Sequence, residues 1–224
     1  KTMFIGHFGA GLIGKKISPV TSLGTLFLAS QFIDLLWPTF LLLGIEKVEI
    51  VPGITQLTPF DFSYYPFSHS LVAVVIWGLL LGCIHFIFKR DIKAFFLLAL
   101  LVPSHWFLDL LVHRPDLPLS FSSDHYFGLG LWNFPIVAVT IEVTIFLLGI
   151  YFYTRITTPK NRIGTIGFWG LMIFLIFSYL GNFFSPPPPD TTTIAWVGQT
   201  QWLIIILAYW VDDHRQFRKQ ALLI

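Results

Sequence analysis

Charged residues are scarce in this chain of 224 residues. They make up 12% of it, about half the fraction usual in soluble domains, while 55% of the residues are hydrophobic. The net charge is only +2 and the basic residues are scattered among short loops, so the sequence offers no basic surface suited to nucleic acid. The composition excludes an ordinary soluble domain and indicates an integral membrane protein surrounded by membrane lipids.

Cysteine is almost lacking as well. The single cysteine, Cys83, excludes an internal disulfide and a cysteine-based zinc site. It lies inside an apolar run, where a role in packing is favoured. A metal site in this chain would therefore have to use imidazole and carboxylate groups.

Long apolar runs make up most of the sequence. Six of them are long enough to cross a bilayer, which takes about 20 helical residues. They are approximately Ser22–Ile45, Ser68–Phe88, Ala94–His113, Trp132–Thr154, Ile163–Phe184 and Thr192–Val211. A shorter apolar stretch, from Met3 to Gly14, predicts a short helix at the membrane surface or partway into it. The expected fold is one all-α polytopic membrane domain over residues 1–224, with six transmembrane helices plus a short N-terminal interfacial or re-entrant helix.

The loops between these runs alternate in charge. Basic residues lie before the first run and after the second, fourth and sixth, whereas the remaining loops are mostly acidic. By the positive-inside rule, Lys15 and the C-terminus should face the cytoplasm and the acidic loops should face outward. The sequence thus predicts a multi-pass protein of the cell membrane.

Five ionisable side chains lie in or beside the apolar runs, where such groups are costly and usually have a partner or a function. They are His7, Asp34, His69, His105 and Asp109. The four-residue spacing of His105 and Asp109 places both on one face of a helix. The helical rise puts most of the five near one depth, with His69 closer to the outer surface. Imidazoles and carboxylates are ligands for divalent metals, so we predict a metal site, with zinc favoured.

Three more residues are candidates for moving protons at such a site. Asp61 and His113 lie near the outer ends of apolar runs, and Glu142 lies near the middle of the fourth run. His113 and Asp116 together can also be an outer metal ligand or a capping cluster, and Asp61 is similarly ambiguous.

Structural alternatives exist for the ligands too. His105 and Asp109 can form a hydrogen bond that neutralises two buried groups. His69 can be a surface residue that follows Ser68 as a helix N-cap. His7 can be interfacial.

The order of these residues resembles a known family. His7, Asp34, Phe67-Ser68-His69-Ser70 and Ser104-His105-x-x-x-Asp109 are similar to the early His, the Asp, the Thr-His-Ser and the Ser-His-x-x-x-Asp of the inner-membrane-associated metal-dependent hydrolases. The resemblance covers roughly the first half of the chain. More distantly, the order is similar to the zinc ligands of phospholipase C and its nuclease relatives. The chain departs from the family at Leu36, where a second Asp is frequent, and at Tyr64-Tyr65-Pro66, where His-Arg-Gly is frequent.

The resemblance implies a hydrolase of the inner membrane that uses a divalent metal. Location and the distant resemblance favour a lipid or amphiphilic phosphoester, approached from the outer leaflet, as its substrate. The alternative is a non-catalytic membrane protein. It would be a metal or proton translocator, or an accessory subunit whose polar cluster only holds helices together.

Overall fold

The computed structural model describes residues 4–122 and 125–218, which are predominantly helical. The helices are α1 (Ile5–Ile17), α2 (Leu23–Ser30), α3 (Phe32–Leu42), α4 (Pro66–His69), α5 (Leu71–Lys89), α6 (Ile92–Val112), α7 (Pro135–Ile156), α8 (Arg162–Phe184), α9 (Thr191–Gln199) and α10 (Gln201–Asp213). A single 3-10 turn covers Leu131–Asn133 within this described part. Short antiparallel pairs join β1 (Lys47–Ile50) to β2 (Phe60–Tyr64), β3 (Leu117–Pro118) to β4 (Tyr126–Phe127) and β5 (Thr157–Pro159) to β6 (Arg215–Phe217).

Five helical segments are long and apolar enough to cross a membrane. They are α5, α6, α7, α8 and the continuous stretch Thr191–Asp213, which contains α9 and α10. A sixth span is present only if α2 and α3, bent by 57° around Gln31, are counted as one. The prediction of an all-helical chain with several apolar spans is confirmed. The number six depends on the bent pair, and the orientation in the membrane stays a prediction.

The second predicted run is also divided, at Ser70. This residue is the N-cap of α5, since its side chain accepts a hydrogen bond from the Ala73 backbone N–H. Ser68 lies inside the preceding short helix, so the alternative that Ser68 caps the span is wrong. The break places His69 at the end of α4, and the residue is only 3% exposed, so the alternative of a surface histidine is wrong as well.

The N-terminal helix α1 is packed inside the protein, mainly against α7. The two backbones approach so closely that a Cβ on Gly9 would lie 2.7 Å from the Ile145 carbonyl oxygen, and one on Gly149 would lie 2.6 Å from the Gly9 carbonyl oxygen. Glycines permit this approach between membrane helices. The 13 residues of α1 extend about 20 Å, which is less than the ~30 Å of a hydrocarbon core. Whether α1 is re-entrant or interfacial stays a prediction, but its place in the bundle carries His7 to the interior.

The C-terminal end of α1 is joined to α10 by a partly buried ion pair. Lys15 Nζ lies 2.7 Å from Asp212 Oδ2 and donates to the Thr21 carbonyl oxygen at 2.8 Å. The Tyr153 hydroxyl donates to the other oxygen of Asp212 at 2.7 Å. Both carboxylate oxygens are therefore paired, as a buried charge requires. This contact fixes the end of α1 that is far from His7.

Candidate metal centre

Four of the predicted ligands converge on one point between α3, α4 and α6. His105 Nε2 lies 3.3 Å from Asp109 Oδ2 and 3.6 Å from Asp34 Oδ2. His69 Nε2 lies 3.4 Å from Asp34 Oδ1 and 3.9 Å from Asp109 Oδ2. Asp34 belongs to the first turn of α3, immediately after the bend, and is the most exposed of the four. The predicted convergence of these side chains is therefore present.

The spacings suit ligands that share one ion. Zinc bound tetrahedrally at ~2.0–2.1 Å by nitrogen and oxygen places neighbouring ligand atoms about 3.3 Å apart. The ligand atoms of His69, His105 and Asp109 all lie within 4.8 Å of one another, and those of His7, Asp34 and His105 form a second such group. The residues can therefore hold a metal ion. Its identity as zinc stays a prediction.

The hydrogen bond of His105 Nδ1 determines that the lone pair of the neutral ring is on Nε2, the nitrogen that faces the cluster. Nδ1 lies 2.8 Å from the carbonyl oxygen of Ser30, and a carbonyl can only accept, so Nδ1 carries the proton. The lone pair of a neutral ring is then on Nε2, which is buried and has no hydrogen-bond partner among the described residues. This lone pair faces two carboxylates, which also carry only lone pairs when ionised. Such an arrangement needs a cation, supplied either by a bound metal or by a second proton on the ring.

His69 is oriented by a relay that begins at Glu46. The Ser68 hydroxyl donates to Glu46 Oε2 at 2.6 Å, and its oxygen lies 2.7 Å from His69 Nδ1. Since the hydroxyl proton goes to the carboxylate, the serine oxygen accepts from Nδ1–H, which leaves the lone pair of Nε2 facing Asp34. Metal-binding histidines commonly donate their second nitrogen in this way.

Glu46 is itself firmly held, although it precedes β1 in a loop. Its Oε1 accepts from the backbone N–H groups of Phe67 and Ser68, both at 2.8 Å. Burial raises the pKa of the Glu46 carboxyl, and the hydrogen bonds from Ser68 oppose that rise. Nothing in the sequence distinguishes Glu46 from the other acidic residues of the outer loops.

Two more imidazoles flank Asp109. His7 Nε2 lies 3.2 Å from Asp109 Oδ1, and its ring stacks on that of His105 with centroids 3.5 Å apart. At the other carboxylate oxygen, Oδ2, His113 Nε2 lies 4.0 Å away. His113 Nδ1 is 2.8 Å from Asp116 Oδ1, so the carboxylate holds the proton on Nδ1 and the lone pair of Nε2 faces Asp109. His7 thus joins the cluster, and so does His113. Whether His113 acts as a proton carrier or as an outer metal ligand stays a prediction.

Asp61 lies farther out and is bound to a cation. It forms an ion pair with Arg114 at 2.5 Å, and Arg114 also reaches Asp116 Oδ2 at 3.3 Å. This chain of contacts connects β2 to the residue that holds His113. Asp61 is thereby linked to the cluster only through intermediates, and its predicted role in proton transfer stays a prediction.

Glu142 fixes the start of α1. Its Oε2 accepts from the backbone N–H groups of Phe4 at 2.8 Å and Gly6 at 3.4 Å, and Tyr179 donates to its Oε1 at 3.3 Å. A carboxylate at a helix N-terminus satisfies backbone donors that have no partner within the helix. This contact positions the helix that carries His7. The role of Glu142 in proton transfer stays a prediction.

A cavity of about 50 Å³ adjoins the cluster. It is lined by Asp34, Trp37, Pro38, Phe62, His69, Asp109, His113, Gly198 and Gln201. A water takes ~30 Å³ in the liquid, so there is room for one or two beside the ligands. Catalytic zinc sites keep such an open position, whereas structural ones are closed by protein ligands.

The cavity lining includes Trp37 and Gln201, which the sequence alone does not connect to a site. Trp37 lies within the first apolar run, where an aromatic residue is common, and nothing in the sequence distinguishes Gln201. No family model, no curated protein and no solved structure matches the chain. Its resemblance to metal-dependent hydrolases of the inner membrane therefore stays a prediction.

Proposed function

We propose that this chain is a membrane-embedded hydrolase that depends on a divalent metal, with zinc favoured. The observation that supports this most is the cavity beside a set of ligands whose lone pairs converge. A cluster that only held helices together would need His–Asp hydrogen bonds but no space for water. Asp34, His69, His105 and Asp109 would bind the ion, with His7 at the second oxygen of Asp109.

The chemistry supplied by such an ion is Lewis acidity, which makes water a nucleophile at neutral pH and polarises the bond to be cut. The protein supplies orientation. Ser30 and the pair of Glu46 and Ser68 fix the rings of His105 and His69. The burial of the cluster keeps competing water away and strengthens its electrostatic interactions.

His113 is the residue best placed to move a proton. It lines the cavity, and its Nδ1 is held by Asp116, so its Nε2 can accept a proton from water and later return it to a leaving group. The Tyr65 hydroxyl lies 3.3 Å from Asp116 Oδ1 and donates to it, which fixes the carboxylate that holds His113. This arrangement of base and orienting acid matches the general pattern of catalytic pairs.

The favoured substrate class is a lipid or other amphiphilic phosphoester. The cavity wall includes Phe62 of β2, in the segment between α3 and α4 that the charge pattern places outside the cell. Access from the outer leaflet follows from that orientation. The inner membrane is the location that the family resemblance implies.

The experiment is metal analysis of the purified protein in nanodiscs together with hydrolysis of bis(p-nitrophenyl) phosphate. Asp109→Asn keeps the size of the side chain but removes a charged ligand, and His85→Gln on α5 is a matched histidine control outside the cluster. We expect bound divalent metal and metal-dependent hydrolysis in the parent protein and in His85→Gln, and loss of both in Asp109→Asn. Metal that remains bound in Asp109→Asn would refute the site. Metal uptake into proteoliposomes without hydrolysis would favour the translocator.

A further inference from the structure

A second, larger cavity lies beside the metal centre. Its volume is about 320 Å³ and its wall comes mainly from α8, α9, α10 and the proline-rich segment between α8 and α9. Most of the wall is apolar, with Phe174, Ile194, Val197 and Ile204 among its members. A methylene group occupies about as much space as a water, ~30 Å³, so the cavity accommodates roughly ten of them.

The two cavities meet at three shared residues. Trp37, Gly198 and Gln201 line both. A molecule that passes between these three residues would place a polar group beside the ligands and an apolar chain in the larger cavity. A side chain at Gly198 would disturb the packing between the two cavities, because its Cβ would lie 2.5 Å from Pro38 Cγ.

The junction also carries polar atoms without partners. Among the described residues, Trp37 Nε1 and Gln201 Oε1 are buried atoms that make no hydrogen bond. Trp37 as a whole is only 7% exposed. The first can only donate and the second can only accept. Unpaired polar groups are particularly costly in a membrane. A ligand that offers an acceptor such as a phosphate oxygen and a donor such as a hydroxyl at this point would complement both.

The wall of the larger cavity is continuous with the exposed apolar surface of the candidate membrane spans. Phe174 and Val197 line the cavity and are 51% and 62% exposed, and both belong to candidate membrane spans. A chain that enters at these residues would come from the bilayer that the candidate spans are expected to cross. A peptide has backbone N–H and C=O groups, and this mostly apolar wall offers few hydrogen-bond partners for them. A hydrocarbon chain therefore fits the wall better.

We infer that the larger cavity binds one hydrocarbon chain of a lipid phosphodiester whose headgroup lies at the metal centre. This inference rests on the proposed function, because the headgroup is placed by the proposed metal ligands. It adds a specific requirement: the substrate is selected by its chain as well as by its phosphate. Trp37 and Gln201 would bind the polar atoms between the two parts.

The first test compares two substrates with the same leaving group, methyl p-nitrophenyl phosphate and decyl p-nitrophenyl phosphate, on the full chain in nanodiscs. Burial of each CH₂ of the chain favours binding, although the bilayer offers part of the same gain to the free substrate. We expect KM for the decyl ester to be at least tenfold lower. Ser178→Trp, which fills the cavity from α8, should remove this difference and leave the methyl ester unchanged. Ser178→Leu should do so partly, and Leu180→Trp on the lipid-facing side of α8 should not.

A binding measurement separates this inference from the proposed function. A phosphodiester with a diazirine at the end of a decyl chain is photo-crosslinked to the protein and the labelled residues are mapped by mass spectrometry. Labels concentrated on Ile194, Val197 and Ile204, and lost in Ser178→Trp, support the chain site even if no substrate is cleaved. Equal KM values for both esters with intact metal-dependent hydrolysis, or labels spread over the lipid-facing sides of α5 and α6, would overturn the chain site and leave the hydrolase standing.

Discussion

Replacing Glu46 by glutamine should weaken metal binding although Glu46 is not a ligand. The two backbone donors at Phe67 and Ser68, each 2.8 Å from Oε1, require an acceptor, so the glutamine oxygen takes that position. Its amide nitrogen then occupies the place of Oε2, 2.6 Å from the Ser68 oxygen, and donates to it. The serine proton must turn to His69 Nδ1, which becomes an acceptor. The ring proton moves to Nε2, where it points toward Asp34.

The size of the effect follows from what this proton does. A proton on His69 Nε2 occupies the lone pair that the ion needs, so the ring must change tautomer before it can bind. Changes to groups that orient metal-binding histidines typically reduce metal affinity 10- to 100-fold. At 1.36 kcal/mol for each factor of ten, that is about 1.4–2.7 kcal/mol. The metal-free protein should lose little stability, because the new N–H can donate to Asp34 across 3.4 Å.

The assay is competition for zinc between the protein in nanodiscs and a chromophoric chelator. Ser68→Ala breaks the relay without reversing it, and it should give a smaller loss than Glu46→Gln. Glu49→Gln is the matched control, since this exposed carboxylate belongs to the same outer segment on β1. Parent-like affinity in Glu46→Gln, or an equal loss in Glu49→Gln, would refute the tautomer argument.

The fold and its setting allow three more tests. Gly149→Ala should destabilise the protein by about 1–3 kcal/mol, because its Cβ would press on the backbone of α1, whereas Gly170→Ala, with open space around it, should not; thermal unfolding in detergent measures both. In a Cys83→Ser background, a cysteine at Lys93 should react with an impermeant reagent only from the cytoplasmic side, and a cysteine at Glu49 only from outside; the reverse pattern would contradict the predicted orientation. Zinc at 100 times its Kd should raise the free energy of unfolding by about 2.7 kcal/mol, and no shift in melting temperature would exclude a site specific to the folded state.

The helical fold and the ligands were accessible from the sequence for physical reasons. Ionisable side chains stand out against apolar runs, and the four-residue spacing of His105 and Asp109 fixes their common face. Depth along each run can be counted from the helical rise, which places Asp34 and His105 in one layer. Whether the two side chains face each other depends on helix rotation, which the sequence does not give. Ionisable residues that are energetically costly in a membrane can therefore be recognised from the sequence.

The supporting groups could not be found in the same way. Glu46 lies in a loop, where a carboxylate is common and carries no signal of a function. Its role depends on the fold, which brings it to Ser68. The carbonyl of Ser30 has no side-chain signal at all. The bend around Gln31 has no proline at the break, and Pro38 lies several residues later. Trp37 and Gln201 become candidate binding residues only in the folded structure, where both of them line the two cavities.

The bend between α2 and α3 has a consequence for the metal-free state. A helix end leaves carbonyl groups without partners, and in hydrocarbon each of these costs several kcal/mol. The His105 ring donates a hydrogen bond to one such carbonyl, that of Ser30 at the end of α2. The same ring presents its other nitrogen, Nε2, to Asp34. The orientation of the His105 ring is therefore set by a backbone hydrogen bond, and it does not depend on a bound ion.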